Sequence, residues 1–187
     1  MARALIPLAQ GCEELEAVTL IDLLRRAGID VVVAGLTEGP VTASRGTVLV
    51  PDTTLAEVAG DAFDLIVLPG GLPGADHLAA DPLLRRLLQR QAAAQGLTAA
   101  ICAAPRALAE AGLLAGKTAT CYPGSVDAAA YAGLTLVDAS VVTDGAVITS
   151  RGPGTAMDFA LALIERLVGA ARREEVEAKL LRPGGLG

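Results

Sequence analysis

Three segments of the chain combine reactive side chains with small residues, and each follows a short apolar run. They are GCEELE at 11–16, LPGG at 68–71 and AAICAAP at 99–105. A cysteine thiol can act as a nucleophile, a buried carboxyl can move protons, and glycine N–H groups can stabilise an oxyanion. Together the three segments predict a cysteine-dependent site at the ends of buried strands.

Cys102 lies where a predicted buried strand, Thr98–Ile101, turns into a predicted helix that begins at Pro105. The small residues around it are typical of the sharp strand–turn–helix geometry that exposes a nucleophile. A nearby helix N-terminus would favour the thiolate and lower the pKa of the thiol. A second interpretation stays open, because free cysteine is often a buried and inert core residue.

Glu16, Gly70 and Gly71 are the candidate partners of Cys102. The two glycines end a predicted strand, Leu65–Leu68, and their N–H groups could form an oxyanion hole. An ordinary strand-ending turn is the alternative. Glu16 lies one turn into a predicted helix, and a carboxyl in an apolar cleft has a raised pKa and can act as a general acid or base. A solvated position on the helix surface is the alternative for Glu16.

Two further features have weaker chemical interpretations. His77 is the only histidine, so it is the only possible partner for a cysteine–histidine pair, and a surface loop is the simpler interpretation. The segment RGPGT, from Arg151 to Thr155, precedes a predicted helix with Thr155 as candidate N-cap. Its glycines could bind an anion, but the spacing lacks the G-x-x-x-x-G-K-[ST] pattern of a nucleotide-binding loop.

Apolar runs and helical stripes alternate along the chain. The predicted strands are 4–8, 30–34, 65–68, 98–101, 118–121, 141–143 and 146–150, with a hairpin over 42–50. The predicted helices are 14–27, 82–94, 105–111, 155–168 and 173–181. Strands without polar alternation are buried on both faces. The pattern therefore predicts one α/β domain over residues 1–187, a three-layer sandwich. Pro7 predicts a short or distorted first strand.

Composition excludes several classes of protein. Hydrophobic residues make up 52% of the 187 residues, which argues against disorder. No apolar run approaches the ~20 residues of a membrane span. The net charge is −6 without a basic stripe, which argues against a nucleic-acid partner. The three cysteines lack C-x-x-C spacing, which argues against a disulfide framework or a metal site and favours reduced thiols. With no signal-peptide pattern, we expect a cytoplasmic location.

Six segments resemble a known superfamily and cover essentially the whole chain. The segments are GCEELE (11–16), DLLRRAGI (22–29), VAGL (33–36), VLPGG (67–71), AAICAAP (99–105) and TSRGPGTA (149–156). In this order they resemble the ThiJ/PfpI superfamily, and within it the branch of the parkinsonism-associated protein deglycase and its bacterial chaperone-like relative YajL. The resemblance implies a flavodoxin-like αβα sandwich with a mainly parallel central sheet, and a homodimer.

The resemblance also implies roles for residues of the site. Cys102 matches the nucleophilic, oxidation-sensitive thiol, and Glu16 matches a protonated glutamate that hydrogen-bonds the thiol and shuttles protons. Gly71 and Ala103 match the backbone donors beside the sulfur.

Other positions match the superfamily in part. Arg45 matches an arginine that family dimers bring near the site from the partner chain, and Arg151 and Pro153 match a turn after a late strand. Tyr122 stands where one branch has histidine. Its hydroxyl can donate a hydrogen bond to a substrate oxygen, but it cannot act as a base near neutral pH. Cys121 is an additional thiol, either a second redox group or a buried small residue.

The implied function is an enzyme of carbonyl and oxidative stress defence that needs no cofactor and no metal. It would act on methylglyoxal, glyoxal or their adducts on proteins. A redox-sensing stress chaperone with Cys102 as sensor is the alternative, and a biosynthetic or hydrolytic enzyme of the wider superfamily is a third. The peptidase-like branch carries histidine directly after the nucleophile. Ala103 occupies that position here, which disfavours a cysteine–histidine triad.

Overall fold

The strands of this computed structural model are numbered in chain order, and the structure describes residues 1–182. The predicted domain reaches residue 187, so its last residues lie outside the described range. The strands are β1 (Arg3–Leu8), β2 (Asp30–Gly35), β3 (Val41–Thr42), β4 (Val48–Leu49), β5 (Thr53–Thr54), β6 (Leu65–Leu68), β7 (Leu97–Ile101), β8 (Thr118–Ala119), β9 (Thr135–Leu136), β10 (Val141–Asp144) and β11 (Val147–Ser150).

Helices alternate with the longer strands. They are α1 (Glu14–Arg26), α2 (Gly74–Ala80), α3 (Pro82–Ala93), α4 (Pro105–Glu110), α5 (Ala156–Val168) and α6 (Ala170–Leu180), and short 3₁₀ turns lie at Ala128–Ala130 and Pro153–Thr155. Among the residues described, no helix is long and apolar enough to cross a membrane.

Seven strands form the central sheet, in the order β10–β11–β7–β6–β1–β2–β5. All neighbouring strands are parallel except the edge pair β10–β11. One hydrophobic cluster packs α1, α5 and α6 against one face of the sheet, and a second packs α2, α3 and α4 against the other. The structure therefore confirms the predicted α/β sandwich with a mainly parallel sheet between two helical layers.

The side chains of β1 show why the central strands are apolar throughout. Ala4, Ile6 and Leu8 belong to the cluster beneath α1 and α5. Leu5 belongs to the cluster on the opposite face. Because successive side chains point to opposite faces and both faces are covered, every position must be apolar.

Pro7 neither shortens nor interrupts β1, so the prediction of a short or distorted strand is wrong. The strand has six residues and pairs with β2 along its whole length. Pairing with β6 involves only Ala4 and Leu5. Pro7 lies past this paired segment, where a missing N–H group is tolerated.

Several small elements were not predicted, among them α2, β5 and β9. The segment of α2, which contains His77, was interpreted as a loop, because seven residues opening with Gly74 show too little helical periodicity. The strand β5 has only two residues. The predicted hairpin is present as β3 and β4, which pair antiparallel, and Gly46 in its turn has a φ of +95°.

Candidate active site

The loops after β1, β6, β7 and β11 meet at the carboxyl edge of the central sheet. The N–H of Glu13 donates to the Gly70 carbonyl at 2.9 Å, and the N–H of Cys102 donates to the Ser150 carbonyl at 3.0 Å. The structure thus brings together the three segments that the sequence singled out, at the edge where parallel α/β sheets bind ligands.

Cys102 occupies the sharp turn between β7 and α4. Its φ is +63°, a left-handed conformation that is uncommon outside glycine and often marks functional sites. The Cys102 carbonyl accepts the Tyr122 N–H at 2.8 Å, which fixes the turn from its other side. The side chain is 8% exposed. This geometry corresponds to a nucleophile elbow, with the sulfur at the surface of a pocket.

Glu16 lies in the first turn of α1 and is completely buried. The carboxylate of Glu13 caps the helix by accepting the Glu16 N–H at 2.8 Å, which fixes the direction of this turn. Glu16 Oε2 accepts the Gly70 N–H at 2.8 Å. Its other oxygen, Oε1, is buried and has no hydrogen-bond partner among residues 1–182. Oε1 is therefore the position at which a proton on this carboxyl would be carried.

Burial changes the protonation of Glu16. Desolvation raises the pKa of Glu16 from its ordinary value of 4.5 to about 7, although the Gly70 N–H and the Cys102 thiol both lower it. The nearby carboxylate of Glu13 raises it further. A carboxyl with a pKa near neutrality can both take up and release a proton under ordinary conditions, as general acid–base chemistry requires.

The thiol of Cys102 is coupled to this carboxyl. Burial, followed by the ionised Glu16 carboxylate, raises the pKa of Cys102 to about 12, while the N–H groups of Gly71 and Ala103 lower it. The expected lowering by a helix N-terminus is therefore wrong while Glu16 is ionised. Protonation of Glu16 removes the charge that opposes the thiolate, and the N–H groups of Gly71 and Ala103 then offset part of the remaining effect of burial.

Gly70 and Gly71 are required by close packing as much as by turn geometry. A Cβ on Gly70 would lie 2.7 Å from the Cβ of Cys102 and 2.8 Å from Oε2 of Glu16. A Cβ on Gly71 would lie 2.3 Å from the backbone nitrogen of Glu13, and its φ is +89°. No other residue type fits at these positions without displacing the site.

A cavity of about 620 Å³ opens over the sulfur. Cys102, Gly71, Ala103, Tyr122, Arg45 and Pro153 are the predicted site residues that line it, whereas Glu16 and Gly70 lie behind its wall. Four charged residues also line it: Glu13, Arg45, Asp76 and Arg106. Sequence reasoning missed Asp76 and Arg106, because α2 was not predicted and nothing in the pattern of α4 marks its arginine.

Arg45 of the same chain lines the cavity, and the expectation that a dimer brings this arginine near the site of the partner chain stays a prediction. The turn between β3 and β4 carries Arg45 and is held against the start of α1. The Glu14 carboxylate accepts the Arg45 N–H at 3.0 Å, and the Ser44 N–H donates to the Cys12 carbonyl at 2.7 Å. Sequence reasoning treated Glu14 as a solvated residue and missed this role.

The remaining candidates lie away from the cavity. His77 is exposed on α2, and its Nδ1 lies 3.0 Å from the Gln10 carbonyl oxygen, so it does not pair with Cys102. Cys12 and Cys121 are buried and form no disulfide within residues 1–182, and burial raises the pKa of Cys12 to about 11. No cluster of metal-ligating side chains occurs within the described part of the chain.

Arg151 is engaged outside the cavity, whereas Pro153, two residues later, lines it. The Arg151 guanidinium forms an ion pair with Asp138 at 2.8 Å. The Thr155 hydroxyl accepts the Gly152 N–H at 3.1 Å and makes no capping bond to α5. Thr155 therefore occupies the predicted N-cap position of α5, but its hydroxyl closes the glycine turn instead of capping the helix.

The chain matches the model of the DJ-1/PfpI family over residues 2–166. It therefore belongs to the DJ-1/PfpI family, in agreement with the resemblance of its segments. The crystal structure of Drosophila melanogaster DJ-1beta has a TM-score of 0.91 at 46% identity, covering 97% of this chain and 98% of that chain. Protein dj-1beta of Drosophila melanogaster is 48% identical over 179 residues, which are 95% of this chain and 96% of that protein.

Two further relatives differ in name and in length. The chain is 38% identical over 174 residues to the glutathione-independent glyoxalase DJR-1.2 of Caenorhabditis elegans, covering 93% of this chain and 90% of that protein. It is 47% identical over 182 residues to Protein DJ-1 homolog A of Arabidopsis thaliana, covering 96% of this chain. That protein is longer, and the chain spans 46% of it.

Proposed function

We propose that the protein is a cofactor-independent glyoxalase in which Cys102 attacks α-oxoaldehydes such as methylglyoxal and glyoxal, and Glu16 moves the protons. The observation that carries the proposal is the buried Cys102–Glu16 pair beside an open cavity. Burial gives this carboxyl a pKa of about 7, which suits a group that must accept and donate in turn. A glyoxalase among the relatives supports the same reaction class.

The first step adds the thiol to the aldehyde. Ionised Glu16 takes the proton of the Cys102 thiol, and the sulfur attacks the aldehyde carbon to form a C–S bond. The carbonyl π electrons move to oxygen, where the N–H groups of Gly71 and Ala103 can stabilise the alkoxide. This alkoxide takes the proton from Glu16, which gives a neutral hemithioacetal and restores the carboxylate.

In the second step the former aldehyde carbon is oxidised and the ketone carbon is reduced within the same molecule. Glu16 removes the hydrogen of the hemithioacetal carbon as a proton, and the electron pair moves to the neighbouring ketone to give an enediolate. Glu16 returns this proton to the former ketone carbon, and the hydroxyl proton of the hemithioacetal moves to the neighbouring oxygen, which gives the thioester of a 2-hydroxy acid. Water then cleaves the C–S bond and restores the thiol of Cys102. Methylglyoxal plus water thus gives lactate, without an external oxidant or reductant.

The same addition could act on early methylglyoxal adducts of protein side chains. The cavity of about 620 Å³ is much larger than a three-carbon dicarbonyl needs, which supports access of a side chain from another protein. Adducts in equilibrium with free methylglyoxal would give the same product. Glyoxalase and deglycase activities are therefore two uses of one site.

A redox-sensing stress chaperone is the second candidate, and the backbone donors beside the sulfur favour it. The N–H groups of Gly71 and Ala103 that lower the thiol pKa could equally stabilise the oxygens of a sulfinate. Intact-mass and peptide analysis after mild peroxide tests this candidate. We expect Cys102 to gain oxygen first, and earlier oxidation of Cys12 or Cys121 would contradict a sensor role.

Lactate formation from methylglyoxal tests the enzymatic proposal. We expect Cys102→Ala to abolish turnover and Glu16→Gln to lower kcat by about 10²–10⁴-fold, as for loss of a general acid–base group. Cys121→Ala is the matched control, because Cys121 is 7% exposed but does not line the cavity. Undiminished turnover by Cys102→Ala would exclude the mechanism.

We also propose a homodimer, supported by exposed apolar residues of α1. Leu15 is 51% exposed and Val18 is 45% exposed, and adjacent apolar side chains at a protein surface often mark an interface. Sedimentation should give twice the subunit mass, whereas a mass of 18.8 kDa would contradict the dimer. A cytoplasmic location also stays a proposal, to be tested by fractionation.

A further inference from the structure

Three of the four charged residues that line the cavity are occupied within the protein. The Arg106 guanidinium forms ion pairs with Asp76 at 2.9 Å and with Glu110 at 3.0 Å. Asp76 is thereby occupied as well. The Glu13 carboxylate accepts the N–H of Glu16 at 2.8 Å and caps α1. These three side chains already have partners within the protein, so they are less available to bind a ligand.

Arg45 is the exception. Within residues 1–182 its guanidinium has one hydrogen bond, to the Ser44 carbonyl at 3.4 Å, and forms no ion pair. Its side chain is exposed and lines the same cavity as the Cys102 sulfur. A guanidinium with unused donors recognises carboxylate oxygens through charge-assisted hydrogen bonds. An anionic group on a substrate held at Cys102 would therefore find its partner here.

Glu14 fixes the turn that presents this arginine. Its carboxylate accepts the N–H of Arg45 at 3.0 Å, the N–H of Thr47 at 3.3 Å and the hydroxyl of Ser44 at 3.2 Å. These bonds hold the pKa of Glu14 below its ordinary value, against the effect of burial. They tie the 43–47 turn to the helix that carries Glu16. Arg45 and the acid–base group are thus fixed to one element.

We propose that Glu14 is a positioning residue that holds Arg45 over the Cys102 cavity, where Arg45 selects α-oxoaldehydes that carry a carboxylate remote from the aldehyde. This inference rests on the proposed glyoxalase function and names the substrate class of that site. A suitable probe is 4,5-dioxopentanoate, whose aldehyde and ketone react as in methylglyoxal and whose carboxylate lies at the far end. Its methyl ester is the neutral counterpart.

The first test compares kcat/KM for the acid and for its ester. We expect wild type to prefer the acid and Arg45→Gln to lower this acid/ester ratio about fivefold, the scale of one partly exposed ion pair. Arg86→Gln is the matched control, because Arg86 is an exposed arginine of α3 outside the cavity. It removes the same charge and should leave the ratio unchanged.

The second test separates positioning by Glu14 from its charge. Loss of a negative charge near the cavity would by itself improve binding of an anion and raise the acid/ester ratio. Loss of the hydrogen bonds that hold the 43–47 turn would instead free Arg45 and lower the acid/ester ratio. We therefore expect Glu14→Gln to lower the ratio about twofold to threefold. In an Arg45→Gln background only the effect of charge remains, so the same substitution should not lower the ratio there.

The outcomes distinguish this inference from the function on which it rests. Turnover of both compounds with equal efficiency by wild type, or an unchanged ratio in Arg45→Gln, would overturn the anion subsite and leave the glyoxalase intact. A raised ratio in Glu14→Gln would overturn the positioning role. Failure of wild type to convert either compound while it converts methylglyoxal would overturn this inference alone, whereas failure to convert methylglyoxal as well would overturn the proposed function and this inference together.

Discussion

Replacing Glu16 by glutamine should stabilise the protein at alkaline pH, although it removes the proposed acid–base group. Glutamine has the shape of glutamate, and its side-chain oxygen can accept the Gly70 N–H that Oε2 now accepts at 2.8 Å. Its amide nitrogen takes the place of Oε1, which has no partner within residues 1–182. The substitution therefore removes a buried negative charge while keeping the shape of the side chain.

The magnitude follows from the raised pKa. Burial raises the pKa of Glu16 from 4.5 to about 7, so the folded protein binds this proton more tightly than the unfolded chain. The stabilisation from the protonated group is complete below pH 4.5 and is lost as pH rises through about 7. At about 1.4 kcal/mol per pKa unit, the loss at alkaline pH amounts to about 3 kcal/mol.

Urea unfolding monitored by circular dichroism measures this effect. Relative to wild type, Glu16→Gln should have a free energy of unfolding higher by about 3 kcal/mol near pH 8.5, and the difference should shrink towards zero near pH 4.5. Glu38→Gln, at an exposed position, controls for the loss of net charge and should show no such trend. A difference independent of pH, or a less stable Glu16→Gln at pH 8.5, would contradict a destabilising buried charge at Glu16.

Three further predictions concern the walls and the surface. Gly70→Ala places a Cβ 2.7 Å from that of Cys102, so it should lower the free energy of unfolding by about 1–3 kcal/mol and abolish turnover; Gly60→Ala, with no atom within 4 Å, should do neither in the same assays. Tyr122→Phe should raise KM for methylglyoxal about threefold with kcat nearly unchanged. An unchanged KM would rule out a hydrogen bond between the Tyr122 hydroxyl and the substrate. Val18→Asp should shift the sedimenting species towards one subunit, and an unchanged mass would exclude α1 from the dimer interface.

The fold was largely predictable because its strands and long helices have strong local patterns. Leu65–Leu68 is apolar at every position, as a strand covered on both faces must be, and its predicted bounds are those observed. The stripe Leu15, Val18, Ile21 and Leu24 correctly predicted a helix but not its buried face. Leu15 and Val18 are 51% and 45% exposed, and the buried face is formed by Glu16, Ala17, Leu20, Leu23 and Leu24 instead. Short elements escaped prediction, since two residues of β5 carry no periodicity and depend on pairing with β2.

The residues of the site could be selected from the sequence, but the interactions between them could not. Cys102, Glu16 and Gly70 could be selected because each has an unusual residue type at the end of a strand or the start of a helix. The direction of the thiol pKa could not be predicted, because it depends first on how deeply the thiol is buried and then on its proximity to Glu16, which is far away in sequence. The role of Glu14 was missed for the same reason, since its partners belong to a turn about thirty residues later.

Intact-mass spectrometry of Glu16→Gln mixed with methylglyoxal tests the central claim most directly. If Cys102 attacks the aldehyde and Glu16 moves the protons, the substitution slows the addition and blocks the later removal of the carbon-bound proton. A single adduct should then accumulate on Cys102, should map to its peptide, and should be lost when Cys102→Ala is added to the same chain. An adduct that persists without Cys102, or lactate formation by Glu16→Gln at the wild-type rate, would contradict the proposed mechanism.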